Sequence, residues 1–330
     1  MITDAPIRLG TRRSALAQAQ SQQVADALAK VSGRVVELVP IVSEGDTNRA
    51  SLSEIGGTGV FANRLREALV AGDCDILVHS LKDLPTQEPA ELVIAATPER
   101  ADARDVVITR DGTPLQELPG GAKVGTGSPR RIAQVRRRAP RAEVVDIRGN
   151  VDSRLARVES GELDAVILAA AGLARLGSES TLHREYLGFS EWPTAPGQGA
   201  LAVETLADAP ADLLAALADL DDEDTRLAVT VERTILAGLE AGCQAPMAAH
   251  ARVRDDEIRV RAVVYEPGGD RRIGVDVTES LNRGYIRRNG SGNGANAADG
   301  ADPMHAIRAF GMSAAHRLLE QGAADLLPRE

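Results

Sequence analysis

The sequence predicts an α/β protein with two mostly parallel sheets, each covered by helices, and a small α+β domain after them. Three observations predict it. Short apolar runs alternate with segments of helical spacing over residues 1–98, the pattern of strands joined by crossover helices. The alternation restarts over residues 99–199. From residue 220 the texture changes to one long amphipathic segment, alternating strands and a closing helix. The expected division is therefore 1–98 with 200–219, then 99–199, then 220–330.

The elements follow in order. "IRLGT" reads as a strand. "SALAQAQSQQVADALAKVSG" reads as a helix, with Ser14 as N-cap and Leu16, Val24, Leu28 and Val31 at helical spacing. "VVELVPIV" is a second strand, "VFANRLREALVAGD" a helix ending near Gly72, and "CDILVHS" and "LVIAAT" two further strands. In the second run, "DVVIT" and "AKVGTGS" are strands. "SPRRIAQVRRRAP" opens a helix with Ser128 as N-cap and Pro129 first, where a missing N–H is no loss. "AEVVDIRG" is a strand, "VDSRLARVESGE" a helix, and "LDAVILAAAGLARLG" a strand running into a helix. "TAPGQGALAVE" is a Gly-rich loop leading to a strand that returns to the first domain. In the last part, "DEDTRLAVTVERTILAGLEAG" is a helix. A hairpin turns at Asp255 and Asp256, "RRIGVDVT" is a strand, a Gly/Asn-rich loop follows, and a helix begins at Met304.

Composition narrows the function. Hydrophobic residues make up 43% of the 330 and aromatics only 2%, so the cores are aliphatic and stacking platforms for single-stranded nucleic acid are lacking. The net charge of -10 opposes general nucleic-acid affinity. Residues 123–157 nevertheless carry ten Lys or Arg against three acids, while residues 204–224 carry eight acids and no base. A basic segment in an acidic protein points to a small polyanion. Two cysteines give no disulfide framework. No secretory signal and no apolar run of membrane-spanning length are read, so a cytoplasmic setting is expected.

Several polar groups sit where strands end, the edge at which open α/β sheets bind ligands. Arg130 and Arg131 stand in the first turn of a helix, where the dipole opposes cations unless an anion joins them. Arg136, Arg137 and Arg138 read as a solvated face. Arg12, Arg148, Arg154 and Arg175 follow other strands, and guanidinium pairs bidentately with carboxylate or phosphate. Lys82 and Asp83 close the strand before Pro85, as a ligand-facing pair or as a surface ion pair. His79 reads as a packed core histidine. Cys74 opens a buried strand and reads as structural. Cys243, in a loop after Gly242, is a candidate reactive thiol. No metal-ligand spacing and no Ser-His-Asp order is present.

Together "GTRRSALA", "GDT", "HSLKDLPT", "GTGSPRR", "DIRGNVDSRLARVESGELDAVILAAAGLARLG", "APGQGALA" and "AGCQAPM" resemble the porphobilinogen deaminase (hydroxymethylbilane synthase) family. The resemblance implies two domains like type II periplasmic binding proteins, with a third carrying a cysteine loop. It implies a transferase of tetrapyrrole (haem) biosynthesis that joins four porphobilinogen molecules head to tail, releasing ammonia and then hydroxymethylbilane. It implies a dipyrromethane cofactor held by a thioether to Cys243, and a catalytic aspartate at Asp83 facing the cleft between the first two domains. Ser80, Lys82, Asp83, Thr126, Ser128, Arg130, Arg131 and Arg148 match cofactor-binding positions. Arg12, Ser14, Phe61, Arg148, Arg154 and Arg175 match substrate-binding ones. Lys82, Arg12, Arg148 and Arg154 join Asp83 in the catalytic set. A monomer is expected. Ala241, Gly127, Pro129, Thr58 and Asn63 depart from the family's pattern without removing a charged catalytic group.

Two other readings fit part of the pattern. A non-catalytic small-anion binding protein explains the arginines but not Cys243. A cysteine hydrolase needs a base near Cys243, for which His250 is nearest in sequence.

Overall fold

The computed structural model describes residues 5–41, 60–177, 181–242, 245–281 and 304–328, with only the backbone at Val60 and Phe61. In chain order its elements are β1 (Ile7–Thr11), α1 (Ala15–Ser32), β2 (Val36–Pro40), α2 (Val60–Val70), β3 (Ile76–Ser80), β4 (Leu92–Ala96) and β5 (Asp105–Thr109). Then come β6 (Lys123–Gly125), α3 (Pro129–Arg138), β7 (Glu143–Val145), α4 (Val151–Glu159), β8 (Ala165–Ala169), α5 (Ala170–Leu176) and β9 (His183–Tyr186). The chain ends with β10 (Leu201–Leu206), α6 (Ala211–Ala218), α7 (Glu223–Gly238), β11 (Met247–Arg254), β12 (Glu257–Tyr265), β13 (Arg272–Ser280) and α8 (His305–Glu320). It divides into two compact units, Met1–Ala101 with Ala200–Arg226, and Asp102–Gly199 with Leu227–Glu330.

The first unit holds a sheet of order β2-β1-β3-β10-β4. Helix α1 starts where expected. The Ser14 hydroxyl accepts from the Ala17 N–H, and Gly33 ends the helix in the left-handed region at φ 67°. Both sheet faces are buried. Val24, Leu28, Leu213 and Leu217 cover one face with Ile7, Leu9, Ile76 and Val203. Leu65, Leu69, Cys74 and Leu77 pack on the other. Burial on both faces is why these strands read as unbroken apolar runs. It also confirms Cys74 as a core residue, whose thiol burial and the neighbouring Asp75 charge push up to about 11. The acidic stretch after β10 contains a helix that charge alone does not announce. Leu213 and Leu217, four residues apart, bury one stripe of α6.

The second unit repeats the order as β7-β6-β8-β5-β9. Both sheets are mostly parallel, as expected, with one strand of each reversed. β1 runs parallel to β2 and β3, but β10 runs antiparallel to β3 and β4. Likewise β6 runs parallel to β7 and β8, while β5 runs antiparallel to β8 and β9. The reversed strand is in each case the one that enters on the crossing between units. β9 is short and mostly exposed, so it leaves little apolar signal in the sequence.

The rest of the second unit is a β11-β12-β13 antiparallel sheet packed on α7 and α8. Leu227, Val231, Ile235, Ile258, Val260 and Leu318 lie at its centre. Asp255, at φ 55°, makes the β11–β12 turn; aspartate tolerates that region better than most residues. The two helices touch at Gly311, where a Cβ would stand 2.8 Å from Thr234 Cβ. Gly311→Val is expected to overpack this contact and cost about 1–3 kcal/mol, read as a lowered urea midpoint. Among the described residues no helix is long and apolar enough to cross a membrane.

Candidate active site

The segment "HSLKDLP" forms a tight turn at the carboxyl end of β3. Leu81 and Leu84 are 1% and 2% exposed and pin the turn from both ends. The Leu84 N–H donates to the Leu81 carbonyl at 3.2 Å, and the Leu81 N–H to the Ala200 carbonyl at 3.1 Å. Between the two leucines, Lys82 is half-buried and Asp83 exposed. The two polar side chains are thus turned outward by the burial of their neighbours. Ser80 does not cap the turn; its hydroxyl pairs with the buried Gln20 amide, which donates to it at 2.9 Å. His79 points into the core, its Nε2 3.2 Å from Glu204 Oε2. Glu204 also takes a bidentate pair from Arg66. Burial would raise the Glu204 carboxyl, but the close His79 imidazole and the Arg66 guanidinium outweigh it and hold it low.

β1 runs parallel to β3 as its neighbour, so their carboxyl ends share one edge. Arg12 follows β1 there and is half-buried. The Ser14 hydroxyl accepts the capping bond of α1 from the Ala17 N–H.

The second unit places its arginines at the equivalent edge, but not all alike. Arg130 and Arg131 are 3% and 7% exposed. The anion that pairs with both guanidiniums is the chain's own Asp105. Its carboxylate takes Arg130 Nη1 at 2.7 Å and Arg131 Nη2 at 2.6 Å. It also accepts from Trp192 Nε1 and Gln198 Nε2, each at 2.8 Å. Burial alone would raise this carboxyl; the charges of Arg130 and Arg131 outweigh it and hold it far below the usual range. Gln134 extends the network from Arg130 to the Tyr265 hydroxyl.

Around this network, Thr126 is buried and accepts from the Ser128 N–H at 3.3 Å. Gly127 separates them because a Cβ would stand 2.8 Å from the Ile147 carbonyl oxygen. Ser128 precedes α3 without a side-chain cap bond, which leaves its hydroxyl uncommitted to the helix. Arg148 is exposed, just before Gly149 at φ 107°. Arg154 donates through Nε to the Gly149 carbonyl at 2.9 Å. Burial, and then the charge of Arg131, push its guanidinium down. Arg175 donates through Nη2 to the Gly199 carbonyl at 2.9 Å, and burial pushes it down as well. Cys243 lies outside the described residues. Phe61 stands in the first turn of α2, and its side chain is outside them too.

Asp105, Gln198 and Gln20 escaped the sequence reading. Asp105 did leave a signal: an acid heading a strand whose five residues are all buried needs a partner. Gln20 and Gln198 left none, since a glutamine's amide is informative only once its neighbours are known. His250, the base that a hydrolase would need, is 7% exposed and stacked on Phe189 with ring centroids 3.7 Å apart, a poor position for proton transfer with substrate.

Chemically, the first unit offers an exposed carboxylate beside an ammonium. The second offers buried guanidiniums, two of which, on Arg130 and Arg131, share the single carboxylate of Asp105. Residues 7–212 match the family model described as porphobilinogen deaminase, dipyromethane cofactor binding domain, and residues 226–283 match the porphobilinogen deaminase C-terminal domain. The chain is 49% identical over 335 residues to porphobilinogen deaminase 1 of Streptomyces coelicolor, covering 99% of this chain and 98% of that protein. It is 48% identical over 328 residues to the porphobilinogen deaminase of Leifsonia xyli subsp. xyli, covering 98% and 94%. An ancestral cationic amino acid solute binding protein superposes at a TM-score of 0.40 with 15% identity, over 66% of this chain and 88% of that one. With both family domains matched in order and relatives this similar over nearly their full length, the chain belongs to the porphobilinogen deaminase family.

Proposed function

We propose that the chain joins four porphobilinogen molecules head to tail, releasing ammonia and then hydroxymethylbilane, on a dipyrromethane group attached through Cys243. The reading includes a cytoplasmic monomer of three domains, 1–98 with 200–219, 99–199 and 220–330. The observation that carries it is the set of under-neutralised guanidiniums at the second sheet's edge. Arg130 Nε, Arg131 Nε and Arg175 Nε are buried with no hydrogen-bond partner among the described residues. Such a lining suits a ligand with several carboxylates, which dipyrromethane is. Arg131, Arg148, Ser128 and Thr126 would hold it, with Ser80 and Lys82. When bound, it supplies the pyrrole carbon to which the first substrate is joined.

Arg12, Ser14, Arg154, Arg175 and Phe61 are assigned to substrate. The substrate's aminomethyl group, an amine of pKa ~10.4, is protonated at neutral pH and ready to leave as ammonia. Its departure makes the ring electron-poor. A carboxylate beside the pyrrole N–H stabilises that charge, and Asp83 is assigned this role. It then accepts the proton lost from the ring carbon after coupling. Lys82 and Arg12 offset the acetate and propionate charges that would otherwise repel one another.

The deciding test is the intact mass of the denatured full-length chain beside Cys243→Ala. The expected result is an excess of two linked pyrrole units in the wild type and none in the variant. A wild type that stays unmodified after incubation with porphobilinogen would make the chain an anion-binding protein instead. Arg148→Ala removes one exposed charge-assisted contact, ordinarily about 1.5–3 kcal/mol. It is expected to slow the gain of those two units roughly 10- to 100-fold, followed by mass against time.

A further inference from the structure

We propose that Asp105 is a positioning residue for Arg131, and that Arg130 serves as its counter-charge instead of as a second ligand-binding cation. This deepens the function proposed above and rests on it.

Asp105 is wholly buried at the head of β5. Each of its oxygens accepts one guanidinium and one neutral donor. Oδ1 takes Arg131 Nη2 and Gln198 Nε2, and Oδ2 takes Arg130 Nη1 and Trp192 Nε1. A carboxylate tied four ways is a fixed reference point. Arg131 is tied a second time, through Nη1 to the Ile167 carbonyl at 3.0 Å. Ile167 belongs to β8, which pairs with β5. The guanidinium is therefore oriented by two adjacent strands before any ligand arrives, and an arriving carboxylate loses little freedom in ordering it.

Arg130 is turned the other way. Its Nη1 also meets Gln134 Oε1 at 2.7 Å and the Pro193 carbonyl at 3.5 Å, so that nitrogen is engaged by three groups of the chain itself. Two guanidiniums on one carboxylate leave one net positive charge. Arg131 is the more exposed of the two, at 7% against 3%, so it is the member assigned to the ligand. One ligand carboxylate would complete the neutralisation.

The test uses the full-length chain freed of cofactor, incubated with porphobilinogen over a range of concentrations, with the gain of two pyrrole units read by mass. Asp105→Asn is expected to raise the half-saturating concentration at least tenfold, with every folded chain still converted at saturation. A merely structural role would lower the convertible fraction and leave the concentration dependence unchanged, and that result overturns the proposal. Gln198→Met keeps all three charges and removes one tie to Asp105; a rise of a few-fold is expected. Should Asp105→Asn fail to fold, Gln198→Met decides alone, and an unshifted curve overturns the proposal. Arg131→Gln should shift the curve further than Arg130→Gln, and the reverse order overturns the division of roles. A wild type that gains no mass overturns the underlying function as well, which sets that failure apart from the others.

Discussion

Asp83→Asn is expected to lower turnover of porphobilinogen by about 10²–10⁴-fold, the range for losing a positioned acid–base or charge-stabilising group. The substitution keeps the shape of the side chain and removes its charge. Asp83 is exposed between two buried leucines, so little folding energy rests on it. The variant should unfold at the same urea concentration as the wild type and keep its Cys243-linked mass. Steady-state turnover together with intact mass checks this. Near-normal turnover in a fully loaded variant would remove Asp83 from the chemistry.

The largest effect on stability is expected at Asp105. Asp105→Asn leaves two buried guanidiniums with no carboxylate between them. Breaking a buried ion pair from one side costs roughly 3–5 kcal/mol, a large share of the 5–15 kcal/mol that holds a typical domain. The effect depends on pH with a definite sign. The folded carboxyl is held below its unfolded value near 3.9, so its contribution is complete above that value. The contribution is lost as pH falls toward the folded value. Glu204, also held low, adds to the acid sensitivity in the same sense. The gap between wild type and Asp105→Asn should therefore be widest near neutral pH and narrow below about pH 4. Urea midpoints across that range check it, and a gap that widens on acidification would reverse the assignment.

How much of this was legible in the sequence depended on whether a residue's environment is local. α1 was legible because Ser14, Gly33 and the spacing of Val24 and Leu28 lie within the helix itself. The return of β10 to the first sheet was legible from its apolar run after a Gly-rich crossing. The reversed direction of β10 and β5 was not, since strand order and direction are set by partners a hundred residues away. The polar turn at Lys82 and Asp83 was legible from where the apolar run stops. The burial of Arg130 and Arg131 was not, because their counter-ion stands 25 residues upstream in what reads as an ordinary strand. The sequence pointed to an anion for these two arginines, and the chain's own Asp105 pairs with both.

The position of β10 has a consequence for how the protein comes into being. β10 lies between β3 and β4 and bonds to both, so the first sheet has a gap until residue 206 has left the ribosome. The second sheet, β5 to β9, is complete by residue 186. The part made first is thus finished second. Until then β3 and β4 keep open edges, the kind that invite pairing with other chains. A fragment ending near residue 199 should aggregate, whereas the same fragment supplied with residues 200–226 on a separate chain has the missing strand available.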